Sequence, residues 1–129
     1  MATSPQESSI KLSSIKKRAD FLHVQKMGRK WIAKAFIVQV CENDGLGQRF
    51  GLVVTKKLHK LAVDRNRVKR RLRAAIAEIL PNCAANNYDY VFIARSDTIS
   101  MPFETLKKEM VWCVKRLDLM REDNPQNVG

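Results

Sequence analysis

Apolar residues recur at helical spacing in three segments, which predict helices over residues 16–27, 61–80 and 102–119. The apolar positions of the first helix are Phe21, Val24 and Met27. Those of the second helix, which fall on one stripe at about 100° per residue, are Val68, Leu72, Ala75, Ile76 and Ile79. Those of the third helix are Phe103, Leu106, Met110, Val114 and Leu117. Gly28 predicts the end of the first helix and Pro81 the end of the second.

The pattern changes in residues 29–33, 35–41, 48–56 and 88–94, which are short, rich in β-branched and aromatic residues, and predict four strands. Successive side chains of a strand point to opposite faces of its sheet. One predicted face of the second and third strands consists of Phe36, Val38, Val40, Phe50, Leu52 and Val54. The other consists of Ile37, Gln39, Val53, Thr55 and Lys57. The first set is a core face, whereas the mixed second set predicts a surface that is open to solvent or to a ligand.

The predicted order of elements is helix, strand, strand, strand, helix, strand, helix. This order predicts an α+β fold, a two-layer sandwich in which three helices pack on a four-stranded mixed sheet. Residues 1–13 and 120–129 carry little that could be buried, so they predict flexible tails on either side of one domain at residues 14–119. Trp31 and Trp112 lie among apolar neighbours and are interpreted as packing groups.

Positive charge is concentrated on particular parts of the chain. The sequence has 24 Lys and Arg against 13 Asp and Glu, a formal net charge of +11. Residues 49–73 hold ten basic residues and one acidic residue, and residues 11–34 hold eight and one. A chain this basic usually binds a polyanion. Because the charge is focused, it favours a binding surface over a general contribution to solubility.

The helix predicted at residues 61–80 carries much of this charge opposite its apolar stripe, on an arc that contains Asn66, Arg67, Lys69, Arg70 and Arg73. Guanidinium groups match phosphate oxygens in planar, bidentate pairs, and each phosphate neutralised releases counterions. The alternative is a solvated face without a partner. Cations without interleaved Glu repel one another at spacings of three and four residues, so an anionic partner is the favoured interpretation.

No catalytic or metal-binding cluster is evident in the sequence. Cys41, Cys83 and Cys113 are odd in number and widely spaced, which favours reduced core thiols of a cytoplasmic protein. His23 and His59 have no carboxylates or thiols at ligand spacing. No apolar run approaches the roughly 20 residues that cross a bilayer, so no membrane partner is expected.

The run GLVVTKKLHKLAVDRNRVKRRLR resembles the signature of the bacterial ribonuclease P protein family. KRADFLHVQKMG and YDYVFIARSD resemble the family's first helix and last strand, so the resemblance covers roughly residues 10–118. It implies a fold like the second domain of ribosomal protein S5, with a left-handed β-α-β crossover through the basic helix, against the usual right-handed rule. It also implies a protein subunit that helps a catalytic RNA remove the 5′ leader of precursor tRNA.

The resemblance also implies roles for individual residues. Those implied to contact the catalytic RNA are Arg65, Asn66, Arg67, Lys69, Arg70 and Arg73, together with Lys56 and Lys57. Those implied to line a cleft for the single-stranded leader are Phe21, Ile37, Gln39, Val53, Thr55 and Lys57. Gln25 and Gln39 stand where the family often has aromatic residues, which predicts weaker stacking on leader bases.

The resulting hypothesis is an endoribonuclease subunit without catalytic residues of its own. One protein per catalytic RNA binds that RNA and precursor tRNA, and Mg²⁺ is held mainly by the RNA. The first alternative is a ribosomal or ribosome-assembly RNA-binding protein. A helix-turn-helix DNA binder, which would use residues 61–80 for recognition, conflicts with the flanking strands. A self-sufficient nuclease conflicts with the missing acid and base groups.

Overall fold

Residues 10–121 are described by a computed structural model of the chain, in which three helices pack on one sheet. The helices are α1 (Arg18–Met27), α2 (Ala62–Cys83) and α3 (Phe103–Arg116). The strands are β1 (Leu12–Ser14), β2 (Arg29–Ile32), β3 (Phe36–Glu42), β4 (Gln48–Val53) and β5 (Tyr88–Ala94). All three predicted helices and all four predicted strands are therefore present, with shifted ends.

The sheet has five strands in the order β1-β4-β5-β3-β2, so the predicted number of four is wrong. β1 runs parallel to β4 and β4 parallel to β5, whereas β3 and β2 are antiparallel to their neighbours, which confirms a mixed sheet. The additional strand, β1, includes residues 12 and 13 of the predicted N-terminal tail. Three residues are too few to show an alternating pattern, and β1 exists because its backbone pairs with β4.

The ends of the described chain are attached to the domain. At the C-terminal end, Met120 forms a β-bridge with Ala84, and the amide of Arg121 donates to the carbonyl of Cys83 at 2.9 Å. Residues 120 and 121 of the predicted C-terminal tail are thus paired with the segment that follows α2. Residues 1–9 and 122–129, where the rest of both predicted tails lies, are outside the described residues.

Helices cover both faces of the sheet, so the predicted two-layer arrangement is incomplete. α2 and α3 pack on the face where the main core contains Phe36, Val38, Val40, Tyr90 and Phe92. α1 packs on the opposite face, where a smaller core contains Ile15, Phe21, Val24, Val91 and Ile93. Periodicity shows which side of a helix is apolar, but it does not show on which face of the sheet that side packs.

The predicted core positions are largely confirmed. All five residues of the apolar stripe of α2 are buried or half-buried, and so are the inward residues of α3. Met27 is an exception at 63% exposed, because two steps of three residues place it about 120° from Phe21 around the helix. Trp31 packs against the main core as predicted, whereas Trp112 is 54% exposed and the packing interpretation is wrong for it.

Glycine at position 28 allows α1 to end against β3. The Gly28 amide donates to the Val24 carbonyl at 2.8 Å, which confirms the predicted end of the helix. A Cβ at this position would lie 2.5 Å from the carbonyl oxygen of Val24 and 2.6 Å from that of Val40. Since both neighbours are backbone atoms, a larger residue would push the helix away from the sheet.

Helix α2 does not end at Pro81 but continues to Cys83. Proline removes one amide donor from the last turn, but the carbonyls at this end have other partners. The side-chain amide of Gln48, a fully buried residue of β4, donates to the carbonyls of Leu80, Ala84 and Ala85. Because Leu80 and Cys83 are also buried, tertiary contacts keep the last turn helical beyond the proline.

Candidate nucleic-acid interface

Helix α2 presents a row of cations that have no acidic partner in the described part of the chain. Arg67, Arg70 and Arg73 are exposed, Asn66 is exposed beside them, and Lys69 is half-buried. Within the described residues, none of the four cations forms an ion pair or a side-chain hydrogen bond. The opposite side of the helix is held in the core, so it points these groups outward as a fixed array. We name this array the cationic face: Asn66, Arg67, Lys69, Arg70 and Arg73.

Two other arginines of α2 have structural partners. Nη1 of Arg65 donates to the carbonyls of His59 and Lys60, each at 2.9 Å, and so holds the connector before the helix. Arg71 donates through Nε to the carbonyl of Thr98 at 3.2 Å and through Nη2 to that of Met101. Helical spacing already places both residues off the arc centred near Arg70. It does not identify the carbonyls that bind them, which lie in other segments.

Arg49 is the first cation of the basic segment at residues 49–73, and acidic side chains neutralise its charge. Its guanidinium forms a two-pronged contact with the buried carboxylate of Asp89, at 2.8 and 2.7 Å, and reaches Asp20 at 3.4 Å. The hydrogen bond to Asp89 raises the pKa of Arg49 above its ordinary value. Asn43 also donates to Asp89 at 2.8 Å. Arg49 therefore stabilises the junction of β4, β5 and α1 and adds little to the field of the protein.

Strand pairing defines the floor of the predicted cleft on the face of the sheet that carries α1. One row across the sheet consists of Val53, Ile93, Ile37 and Ile32, and the next consists of Gly51, Val91, Gln39 and Lys30. The predicted alternation is confirmed for Ile37, Gln39 and Val53. Sequence reasoning missed Lys30 and Ile32 on β2, because their place in these rows depends on the pairing register.

Helix α1 forms one wall of the cleft through Phe21. The ring of Phe21 lies over Gly51, where a Cβ would come within 2.5 Å of two ring carbons. Glycine in β4 therefore lets an aromatic ring approach the sheet closely. Phe21 is half-buried and belongs to the smaller core, so it supports the wall as well as lining it. Gln25 is exposed one turn further along α1.

Three predicted residues lie beyond the strand. β4 ends at Val53, three residues before the predicted end, and the amide of His59 donates to the carbonyl of Thr55 across a turn at 3.2 Å. Thr55, Lys56 and Lys57 are exposed in this turn. The alternation rule does not apply there, so the structure does not assign Thr55 and Lys57 to the face that carries Ile37 and Gln39.

A groove of about 630 Å³ runs along the β1 edge of the sheet, between α1 and α2. Its lining includes Ser13, Lys16, Phe21, Gly51, Lys69 and Arg73. Phe21 borders both this groove and the cleft, while Lys69 and Arg73 belong to the cationic face. The groove thus connects the two predicted sites. Sequence reasoning missed it because it is formed by β1.

The remaining reactive groups of the described residues do not assemble into a metal site. Within residues 10–121, no group of three or more His, Cys, Asp or Glu side chains is placed to hold a metal ion. Burial raises the pKa of the Cys83 thiol to about 11 and that of Cys113 to about 12. His59 is buried, with Nε2 3.3 Å from the carbonyl of Arg95. No helix in the same part of the chain is long and apolar enough to span a membrane.

Proteins of known family match this chain over most of its length. A family model described as Ribonuclease P matches residues 11–118. The ribonuclease P protein component of Paramagnetospirillum magneticum is 37% identical over 87% of this chain and 87% of its own length. That of Clostridioides difficile is 33% identical over 81% of this chain and 91% of its own.

Solved structures agree with this match. A Staphylococcus aureus RNase P protein superposes with a TM-score of 0.70 at 29% identity, covering 84% of this chain and 97% of its own. The Thermotoga maritima RNase P protein superposes with a TM-score of 0.69 at 27% identity, covering 80% of this chain and 96% of its own. A cationic face along one helix is typical of a nucleic-acid-binding protein.

The chain belongs to the ribonuclease P protein family. It is the protein component of the ribonucleoprotein that removes the 5′ leader of precursor tRNA, and it is not itself catalytic. Its partners are accordingly ribonuclease P RNA and precursor tRNA. The family assignment supersedes the ribosomal, DNA-binding and self-sufficient nuclease alternatives.

Proposed function

We propose that the protein binds the catalytic RNA through the cationic face of α2. The observation that carries this proposal is the contrast within one helix: Arg67, Arg70 and Arg73 have no partner among residues 10–121, whereas Arg65 and Arg71 bind carbonyls. Because the packed helix fixes the backbone, binding phosphate orders only the side chains, and the planar guanidinium loses less freedom per hydrogen bond than an ammonium group does. Asn66 both donates and accepts, so it suits a base edge or a 2′-hydroxyl.

The proposal places the single-stranded 5′ leader in the cleft between α1 and the sheet. Half-buried apolar groups on the floor, with Phe21 at the wall, provide a surface for unstacked bases. Gln39 is half-buried on the floor, and its Oε1 atom accepts no hydrogen bond within the described residues. Rotation of its amide group would turn this acceptor towards a donor on a leader base. Thr55 and Lys57 in the turn after β4 complete the proposed leader contacts.

Lys56 and Lys57 are proposed to contact the catalytic RNA as well, and so is Arg65, through the N–H groups that remain after Nη1 binds the carbonyls of His59 and Lys60.

Further parts of the proposal concern the assembly as a whole. Mg²⁺ is proposed to be bound mainly by RNA, since the described side chains do not fit a metal site. One protein per catalytic RNA, in the cytoplasm where precursor tRNA is made, is the proposed arrangement. The fold is proposed to be that of the second domain of ribosomal protein S5, with a left-handed crossover from β4 through α2 to β5.

Charge reversal on α2 tests the proposal. Arg67→Glu and Arg70→Glu, singly and together, are compared with Lys115→Glu, which reverses an exposed charge on α3. Each α2 variant is expected to bind the catalytic RNA about tenfold or more weakly, because a charge-assisted hydrogen bond contributes about 1.5–3 kcal/mol. Lys115→Glu is expected to bind as the unaltered protein does. Filter binding measures affinity, and circular dichroism checks folding.

The proposal is overturned if the folded double variant assembles with the catalytic RNA as tightly as the unaltered protein. It is also overturned if Lys115→Glu weakens assembly as much as Arg67→Glu, because net charge alone would then explain the effect.

A further inference from the structure

A surface at the β2 edge of the sheet combines aromatic rings with cations. The guanidinium carbon of Arg116 lies 5.2 Å from the ring centroid of Trp31 and 5.4 Å from that of Trp112. Both distances are within cation–π range. Trp112 is 54% exposed, which is unusual for so large an apolar side chain. Arg116 thus fixes two aromatic side chains of different elements at one place on the surface.

A shallow cavity of about 390 Å³ lies beside these rings, between β2 and α3. Its lining includes Trp31, Ile32, Lys34, Lys108, Glu109 and Trp112. Lys34 and Lys108 are exposed and have no acidic partner among the described residues. Glu109 is the one acidic lining residue in the described part of the chain, and its Oε1 already accepts the amide of Ala35 at 3.1 Å. We name Trp31, Lys34, Lys108, Trp112 and Arg116 the tryptophan surface.

The chemistry of this surface favours a single-stranded nucleic acid over a protein. An exposed indole provides a stacking platform that accepts any base, and ammonium groups around it bind the adjoining phosphates. A protein interface would need a larger apolar core with a polar rim. Here the exposed apolar side chains next to the cavity are few, and lysines border them.

Ile32 connects the tryptophan surface to the proposed leader cleft. It pairs with Ile37 in the floor of the cleft and also lines the cavity beside Trp112. From Val53 on β4 to Ile32 on β2 the floor crosses three strand spacings, about 14 Å at about 4.8 Å each. A leader that crosses this floor towards β2 therefore leaves the sheet at the edge where the tryptophan surface begins.

We propose that the tryptophan surface binds a leader nucleotide upstream of those held in the cleft, by stacking on Trp112 and by phosphate contacts with Lys34 and Lys108. This inference rests on the proposed leader cleft. The cationic face cannot supply this contact, because the groove that carries Lys69 and Arg73 lies along β1, at the other edge of the sheet. The protein then distinguishes precursors by leader length as well as by the presence of a leader.

Tryptophan fluorescence gives a direct test, because the chain has two tryptophans and both belong to this surface. The assembled complex is titrated with three uncleavable precursors: one without a leader, one whose leader ends within the cleft, and one whose leader extends past Ile32. Only the long leader is expected to quench the emission of the unaltered complex. Trp31→Phe and Trp112→Phe assign the signal to one ring.

Substitutions then test the energetic contribution. Trp112→Ala is expected to weaken binding of the long-leader precursor about fivefold or more, since stacking contributes about 1–3 kcal/mol per base. Trp112→Phe should retain most of the affinity, and Lys34→Ala with Lys108→Ala should lower it. Binding of the short-leader precursor should be unchanged in every variant.

Two results would overturn the inference, and they are distinguishable. If the unaltered complex prefers the long leader and this preference survives Trp112→Ala, the tryptophan surface is excluded while the leader cleft stands. If the unaltered complex binds precursors with and without a leader equally, the proposed cleft fails and the inference fails with it.

Discussion

The role of each arginine is decided by the acceptors within its reach. Arg49 is bound by the carboxylates of Asp89 and Asp20, and Arg71 by two backbone carbonyls. Arg67 and Arg70 find no such acceptor among the described residues. The same functional group therefore stabilises the fold at two positions and remains available to RNA phosphates at two others. Counting charges along the sequence overstates the number of cations available for binding.

At the residue scale, the contact between Gly51 and Phe21 gives a testable coupling. Gly51→Ala would usually stabilise a strand slightly by restricting the unfolded chain. Here the added Cβ would lie 2.5 Å from the Phe21 ring, so the ring must move. We expect a loss of about 1–3 kcal/mol in the free energy of unfolding, measured by urea denaturation, and a reduced preference of the assembled complex for precursors with a leader.

Adding Phe21→Ala supplies the control for this coupling. Removal of the ring makes room for the Cβ, so the double variant should be less destabilised than the sum of the two single variants. Strict additivity would show that the ring does not restrict position 51.

At the element scale, helix α2 shows what a pattern can and cannot predict. The apolar stripe and the cationic face follow from periodicity alone, and the structure confirms that the stripe is buried. The predicted end at Pro81 is wrong because Gln48, 32 positions from Leu80, binds the terminal carbonyls. The length of β4 is overestimated for a related reason, since the turn at Thr55–His59 depends on a backbone hydrogen bond.

The salt dependence of RNA binding separates the cationic face from the rest of α2. Arg67→Ala and Arg70→Ala are each expected to reduce the slope of log affinity against log salt by about 1, because each removes about one phosphate contact. Arg71→Ala is the matched control, since it lies on the same helix but donates to the carbonyls of Thr98 and Met101. It should lower the urea midpoint and leave the slope unchanged.

Titration of RNA binding from low to moderate salt measures these slopes. An equal loss of slope for Arg71→Ala and Arg67→Ala would contradict the assignment of Arg71 to the fold.

At the scale of the whole molecule, the sequence predicts the three helices, four of the five strands of residues 10–121, and which sides of them are apolar. It does not predict β1, because residues 12–14 have no pattern that separates them from a tail. The placement of α1 on the opposite face also depends on contacts between distant segments. Phe21 lies against Gly51, and Gly28 lies against β3. The same holds for the candidate site. Periodicity predicts the cationic face, whereas the positions of Lys30, Ile32 and the groove at β1 depend on how the strands pair.

Stability of the whole domain should fall in alkaline solution. Burial raises the pKa of Cys83 to about 11 and of Cys113 to about 12, from an ordinary value of 9.0, and it also raises that of Tyr90. Above pH 9 the unfolded chain releases thiol protons that the folded chain retains, so rising pH favours unfolding. The stabilising contribution of each thiol is complete below pH 9 and is lost as the pH passes its folded pKa.

Urea midpoints measured from pH 8 upwards test this expectation. The midpoint of the unaltered protein should decline between about pH 9 and pH 12. Cys113→Ala should decline less steeply, whatever its midpoint at neutral pH. An identical slope for both proteins would show that this thiol does not contribute.

The hydrogen bonds of Gln48 have a consequence for how RNA is held. They tie the carbonyl end of α2 to β4, and β4 also carries Gly51 and Val53 beneath α1. The helix that carries the cationic face and the floor of the proposed cleft therefore move as one piece. On the proposed binding mode, the protein holds its two RNA-binding sites at a fixed distance from each other. Two RNA segments with a different separation must therefore bend before both can bind.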